Sequence, residues 1–198
     1  MEALTRELGR ALAAAPGRAF DADGADFRDA AVLVPLVPRA GVPHLLFTRR
    51  PETFRTHAGQ FSFPGGGRES SDAGLMQTAL RETQEELAIE PDQVRVLGTL
   101  DQAPTISFFR VTPFVGLLPE GTAYHPNVEV DWVLEAPLSE LRRPEIHWVE
   151  PREIRGRVYQ VDFYDYQGHV IWGATGGILR NLLSVIESLP SFRAGESL

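Results

Sequence analysis

The chain is 198 residues long, which suits one well-buried core and leaves little room for a second full domain. Its formal charge of −8 argues against broad affinity for a nucleic-acid backbone. There is no cysteine, which excludes disulfides, thiolate nucleophiles and zinc–thiolate sites.

Residues 1–15 read as a helix, followed by an Ala/Gly/Asp-rich connection to about Asp26. Glu2, Arg6, Glu7, Arg10 and Arg18 leave no apolar signal region there. Ala30–Val37 is an apolar run suited to a strand, with an edge or bulge expected at Pro35. Pro38–Gly41 is a turn, Pro43–Thr48 a second strand and Phe61–Phe63 a short third one. Next come Gly65-Gly66-Gly67, read as a glycine turn, and a helix with Ser71 or Asp72 as its cap. Met76, Ala79, Leu80, Thr83 and Leu87 give that helix one face to bury.

Pro91-Asp92 breaks the chain after this helix. Val94–Leu100 and Phe108–Leu118 read as strands, the latter irregular at Pro113. Further strands are expected over Val130–Leu134, His147–Val149, Val158–Tyr164 and Val170–Trp172, with a turn at Gln167-Gly168. A closing helix spans about 175–189. Strands mixed with about three helices, without repeats or a linker, make one α+β domain over 1–198.

The chemistry concentrates on the middle helix. At 3.6 residues per turn, Glu82, Glu85 and Glu86 fall within an arc of roughly 100°. Carboxylates so close repel one another, and a hard divalent cation with oxygen ligands is the simplest compensation. Arg81 lies four residues before Glu85 and can pair with it. A lone Glu-x-x-Glu-Glu is commonly no more than a solvated acidic face. The glycine entry and the Arg81-Glu82 step tip the balance toward a site.

The stretch Gly66–Ile89 resembles the Nudix box, with Arg81-Glu82-Thr83-Gln84-Glu85-Glu86-Leu87 as its core. It departs from the pattern in having Asp72, one residue further from the Arg than usual, and Ala88 in place of a Gly. The preceding residues Leu45-Leu46-Phe47-Thr48-Arg49-Arg50, with Arg55, His57, Gly59 and Phe63-Pro64-Gly65-Gly66, are similar to the signature of coenzyme A pyrophosphatases. So are Glu129–Leu138 and Ile171–Thr175. The resemblance implies a mixed sheet sandwiched between helices (α/β/α) and a Mg²⁺- or Mn²⁺-dependent hydrolase of the coenzyme A diphosphate. Products would be 3′,5′-ADP and 4′-phosphopantetheine.

On this reading Glu82, Glu85 and Glu86 are metal ligands and catalytic residues. The base is one of these glutamates or a carboxylate from a later loop, with Glu129 as the outside candidate. Arg49, Arg55, Arg68 and His57, with Gly65 and Gly66, are the substrate-binding candidates, and Arg50 also flanks the site. Phe108, Phe109, Tyr164 and Trp172 can stack on adenine or fill the core. All 19 basic residues are Arg. Its planar fork suits phosphate, although genomic base composition accounts for the bias more readily. No run reaches the length of a membrane span. The closing Glu196-Ser197-Leu198 has Ser where a peroxisomal tripeptide carries a basic residue. The expected location is therefore the cytoplasm, the partner a small molecule, and nucleic acid and membrane are not expected. The oligomeric state stays open.

Overall fold

A computed structural model describes residues 1–21, 26–53, 59–154 and 156–193. In chain order the elements are α1 (Glu2–Ala14), β1 (Arg28–Arg39), β2 (Val42–Arg49), β3 (Phe61–Ser62), β4 (Gly65–Gly67), α2 (Leu75–Leu87) and β5 (Arg95–Thr99). They continue with β6 (Ala103–Pro104), β7 (Phe109–Leu117), β8 (Trp132–Pro137), α3 (Leu138–Leu141), β9 (His147–Ile154), β10 (Arg157–Tyr166), β11 (His169–Trp172), α4 (Ala174–Glu187) and α5 (Pro190–Arg193).

The central sheet runs β3-β2-β1-β7-β5, with β4 beside β1, β6 beside β7 and β8 beside β2. It is mixed, because β1 and β7 are parallel while the other pairs are antiparallel. A separate antiparallel sheet is formed by β11, β10 and β9. Side chains alternate across each strand, so β1 feeds two cores. Ala31, Leu33 and Val37 face α2, where Ala79, Leu87 and Ile89 pack. Ala30, Val34 and Leu36 face the opposite layer, built from Leu4, Leu8 and Leu12 of α1 and Ile178, Leu179 and Leu182 of α4. The result is the α/β/α sandwich.

β1 and β2 pair only at their hairpin end, Leu36↔Leu45 to Arg39↔Val42, and then separate. The segment 61–67 fills the gap: β3 pairs with the end of β2, and β4 pairs with the start of β1 at Ala30↔Gly67, Ala31↔Gly66 and Val32↔Gly65. The glycine triplet is therefore a strand and not the turn that opens the helix, which begins only at Leu75. Gly65 is required there, since a β-carbon would overlap the Ala31 carbonyl oxygen.

Pro35 does not interrupt β1, which is continuous across it. The Leu33 N–H points to Pro64 O (2.9 Å) on the gap side. Residue 35 shares that parity, so its missing donor falls where β1 and β2 have parted. At Pro113 the expected irregularity lies in the neighbour: β5 ends at Thr99 and β6 restarts at Ala103 along the same edge of β7.

Neither Ser71 nor Asp72 caps α2; the cap is Gly74, without a side-chain bond. Met76 is 49% exposed, outside the buried face expected of it, because the helix meets the sheet through Ala79, Thr83 and Leu87. β8 starts two residues later than expected, and β9 and β10 run longer.

Helix α2 ends at Ala88, held left-handed at φ 55° while its N–H donates to Gln84 O. This conformation costs an L-residue with a β-carbon about 1 kcal/mol that glycine avoids. Ala88 is exposed, so Ala88→Gly is expected to raise unfolding free energy by roughly 0.5–1 kcal/mol in urea titration.

Candidate active site

Arg81 organises the site. Its guanidinium meets Asp72 through Nε (3.1 Å), Glu82 and Glu85 through Nη1 (2.9 and 3.2 Å), and the Gly67 carbonyl through Nη2 (3.2 Å). Asp72 is 1% exposed at its side chain. It also accepts from the Glu69 N–H and the Thr78 hydroxyl, both at 2.9 Å. These donors, Arg81 first, hold the Asp72 carboxyl well below the usual carboxylate range. Although Asp72 stands one residue further from Arg81 than the Nudix pattern has it, the two side chains pair.

Glu82 lies over the glycine strand: a β-carbon at Gly66 would stand 2.5 Å from its Oε1. Glu86, one turn on, is 8% exposed. Thr48 of β2 donates to Glu86 Oε2 at a long 3.5 Å. Burial, then the charge of Glu82, pushes the Glu86 carboxyl up to about 8. Glu82 is also raised, by burial first, with Arg81 opposing.

Glu129 comes to this face through the loop before β8. The last turn of α2 has unpaired carbonyls, and the loop satisfies two of them: His125 N donates to Leu87 O (2.7 Å) and Asn127 N to Glu86 O (3.0 Å). Asn127 Oδ1 accepts from Glu129 N at 2.8 Å. The charge of Glu129 thereby bears on both Glu82 and Glu86. Arg50 joins them, donating to Glu129 Oε2 at 3.3 Å and opposing the upward shift of Glu86.

The other expected site residues divide. Glu85 turns outward, 55% exposed and held by Arg81, away from Glu86. Arg49 occupies the face of β2 opposite Thr48 and pairs doubly with Asp131 at 3.0 and 2.9 Å, 5.7 Å from the Trp132 ring. Arg55 and His57 lie outside the described residues. Arg68 lines an open cleft of about 570 Å³ with Arg28, Asp29, Gly67, Glu69, Glu82 and Phe109. Phe109 does border this cleft, but Arg28 covers its ring at 4.1 Å. Tyr164 is buried, and Trp172 stacks on Phe163. Thr48, Asn127 and Arg28 escaped the sequence reading. Only Thr48 had a signal, its parity on β2.

Among the described residues no three Asp, Glu, His or Cys side chains enclose a metal-sized point. Glu82 and Glu85 lean on Arg81, and Glu129 leans on Arg50. The donor set nevertheless fits a hard divalent cation. Glu86 is a buried carboxylate with one weak donor, beside a second carboxylate that raises its cost of ionising.

A family model described as the NUDIX domain matches residues 27–166. A protein called uncharacterized Nudix hydrolase NudL from Citrobacter koseri is 47% identical over 159 residues, covering 78% of this chain and 81% of that protein. The protein of that name in Cronobacter sakazakii is 45% identical over 165 residues, 82% of this chain and 85% of that one. Among solved structures, a MutT/nudix family protein from Enterococcus faecalis superposes with TM-score 0.55 at 14% identity, over 86% of this chain and 67% of that one. RenU, a Nudix hydrolase from M. smegmatis, gives 0.51 at 22% identity, over 64% and 82%. These two likenesses are of fold.

Two outcomes are expected. Asp72→Asn leaves Arg81 short of its best-covered partner, and unfolding free energy should fall by roughly 2 kcal/mol in denaturant titration. The Asp72 pKa is depressed on folding, so its contribution is full above the unfolded value of about 4 and is lost as pH falls below it. The difference between wild type and Asp72→Asn should therefore shrink below pH 4. Glu86 has the opposite sign. Its raised pKa means the folded chain holds a proton between about 4.5 and about 8, and its stabilising contribution declines as pH rises through that window. Mn²⁺ titrated by calorimetry at pH 7 should release protons and bind more tightly toward pH 8. Glu86→Gln should remove most of the proton release.

Proposed function

The chain belongs to the NUDIX family, and from that premise we propose that it is a divalent-metal-dependent hydrolase of the coenzyme A diphosphate, releasing 3′,5′-ADP and 4′-phosphopantetheine. Its membership makes it a Nudix hydrolase. The coenzyme A assignment is carried by one observation, the unbroken run from Leu45 to Ile89 in which the coenzyme A signature leads into the box. In the fold this run is β2, the gap-filling strands β3 and β4, and α2.

Glu82 and Glu86 would hold Mg²⁺ or Mn²⁺, with Glu85 at the margin. A divalent cation bound there would neutralise charge on the phosphoryl oxygens and make water a better nucleophile. Glu129, whose charge bears on Glu82 and Glu86, is suited to accept a proton from that water. Arg50 steadies the Glu129 carboxylate at 3.3 Å. Gly66 supports Glu82 by having no side chain to displace it. The backing of Glu86 by Thr48 and the apolar α2 interface excludes water from one side of the cluster.

Among the described residues no helix is long and apolar enough to cross a membrane.

Purified protein with Mg²⁺ or Mn²⁺ should cleave coenzyme A in preference to ADP-ribose, NADH and nucleoside triphosphates, with products resolved by chromatography. Rapid ADP-ribose hydrolysis with coenzyme A intact would end the substrate assignment. Tight coenzyme A binding without turnover would mark a sensor instead. Glu86→Gln, which keeps shape and loses charge, should reduce turnover at least ~10²-fold.

A further inference from the structure

The antiparallel sheet β9–β11 covers the core with one face only. Tyr164 and Ile171 point inward and pack with Ile178, Leu179 and Leu182 of α4. Alternation sends Trp148, Phe163 and Trp172 to the other face, where they stand in register across the three strands. Their rings lie nearly parallel, Trp148 to Phe163 at 5.3 Å and Phe163 to Trp172 at 5.7 Å. Phe163 is 6% exposed although it lies outside the core that α1 and α4 build. The two indoles shelter it, with the Arg152 guanidinium 5.3 Å from its ring. Tyr159 and Val170 extend this outer face, which leaves Trp148, Tyr159, Val170 and Trp172 exposed by 37, 45, 38 and 38%.

The sheet also runs on past its support. β11 pairs with β10 only over Phe163–Tyr166, whereas β9 and β10 continue together as far as Ile154↔Arg157. Beyond Val161 they form a two-stranded arm, exposed at residues 151–153 and 156–160. Two strands alone are marginal in water and gain stability from a surface laid against them. Pairing along the edge is disfavoured: β9 is an edge strand of its sheet, and Pro151 sits in it between Glu150 and Arg152. The face is what remains for a partner, and charge selects that partner. At net −8, two copies of the chain repel, but residues 147–161 hold three arginines against two glutamates, so the repulsion is lifted there. On the outer face Glu150 accepts from the Trp148 indole N–H at 2.9 Å and from Arg152 at 2.6 Å, which holds both charges in place. A two-fold axis between Glu150 and Arg152 would set each against the opposite charge of the other copy.

We propose that the outer face of β9–β11, with its arm, is an interface for a second copy of this chain, the two sheets packed face to face about a two-fold axis at the Glu150–Arg152 pair. Area decides how tight the pairing is. On the scale of about 150–250 Å² for a large aromatic side chain, Trp148, Tyr159 and Trp172 leave roughly 250 Å² in water. At the apolar share usual in homodimers, that is the apolar part of a patch of roughly 400 Å² per copy. A stable complex takes about 800 Å² a side. The dimer is therefore reversible, with Kd on the order of 10⁻⁵ M.

Sedimentation velocity over a range of about 1 μM to about 1 mM tests this, with thermal melts confirming that each variant folds. Wild type should pass from monomer to dimer within that range. Tyr159→Glu, on the outer face, should raise Kd by about tenfold or more. Val158→Glu, on the opposite face of the same arm, should leave Kd within about twofold. Glu150→Arg and Arg152→Glu should each weaken the dimer when alone, because like charges then meet across the axis. Mixed together, the two variants should form a heterodimer, which a role confined to one chain cannot produce. A wild type that stays monomeric at about 1 mM, leaving the arm to some other partner, overturns the proposal. So does a Tyr159→Glu variant that dimerises like wild type, a Val158→Glu variant that dissociates as strongly, or a mixture of the two charge variants that stays monomeric.

Discussion

One guanidinium, that of Arg81, ties together the three parts of the chain that the site needs. It meets the glycine strand at Gly67, the loop at Asp72 and its own helix at Glu82 and Glu85. Arginine alone presents enough donors in one plane to do this. Asp72 in turn gathers Glu69 and Thr78, so the loop before α2 is fixed at both ends. The register between the glycine strand and α2 sets where Glu82 can lie. Without it, Glu82 would have no reason to rest against Gly66.

The remainder of the site is assembled by elementary geometry. Alternation along β2 sends Thr48 to Glu86 and Arg49 to the far face. Unsatisfied carbonyls at the end of α2 capture the loop that carries Glu129. Divergence of β1 and β2 makes room for glycines close beneath the acidic helix. Each device is cheap alone. Together they hold carboxylates nearer to one another than their charges favour, which is the condition under which a divalent cation becomes the best available partner.

The helix α2, the closing helix and most strands were legible in the sequence because their apolar spacing matches their burial. Glu82 and Glu86 were legible because one helical turn is enough to bring them together. The outward turn of Glu85 is not legible in the same way, since a helical wheel gives direction but not the pull of Arg81. Met76 failed for a related reason: the wheel does not say how much of a face the sheet covers. The glycine triplet could not be recognised as a strand, because its pairing depends on a gap between β1 and β2 that has no local signal. Arg28 and Phe109 meet only through a parallel pairing about eighty residues apart in sequence, beyond any spacing rule.

The central claim is that the face shared by Glu82, Glu86 and Glu129 is a divalent-metal site. Anomalous diffraction from crystals soaked in Mn²⁺ tests it most directly. The account predicts a strong peak within direct coordination distance of Glu82 and Glu86 carboxylate oxygens, with Arg81 still joined to Asp72. Saturating Mn²⁺ that leaves no peak on this face, or places its peaks elsewhere on the molecule, would contradict it.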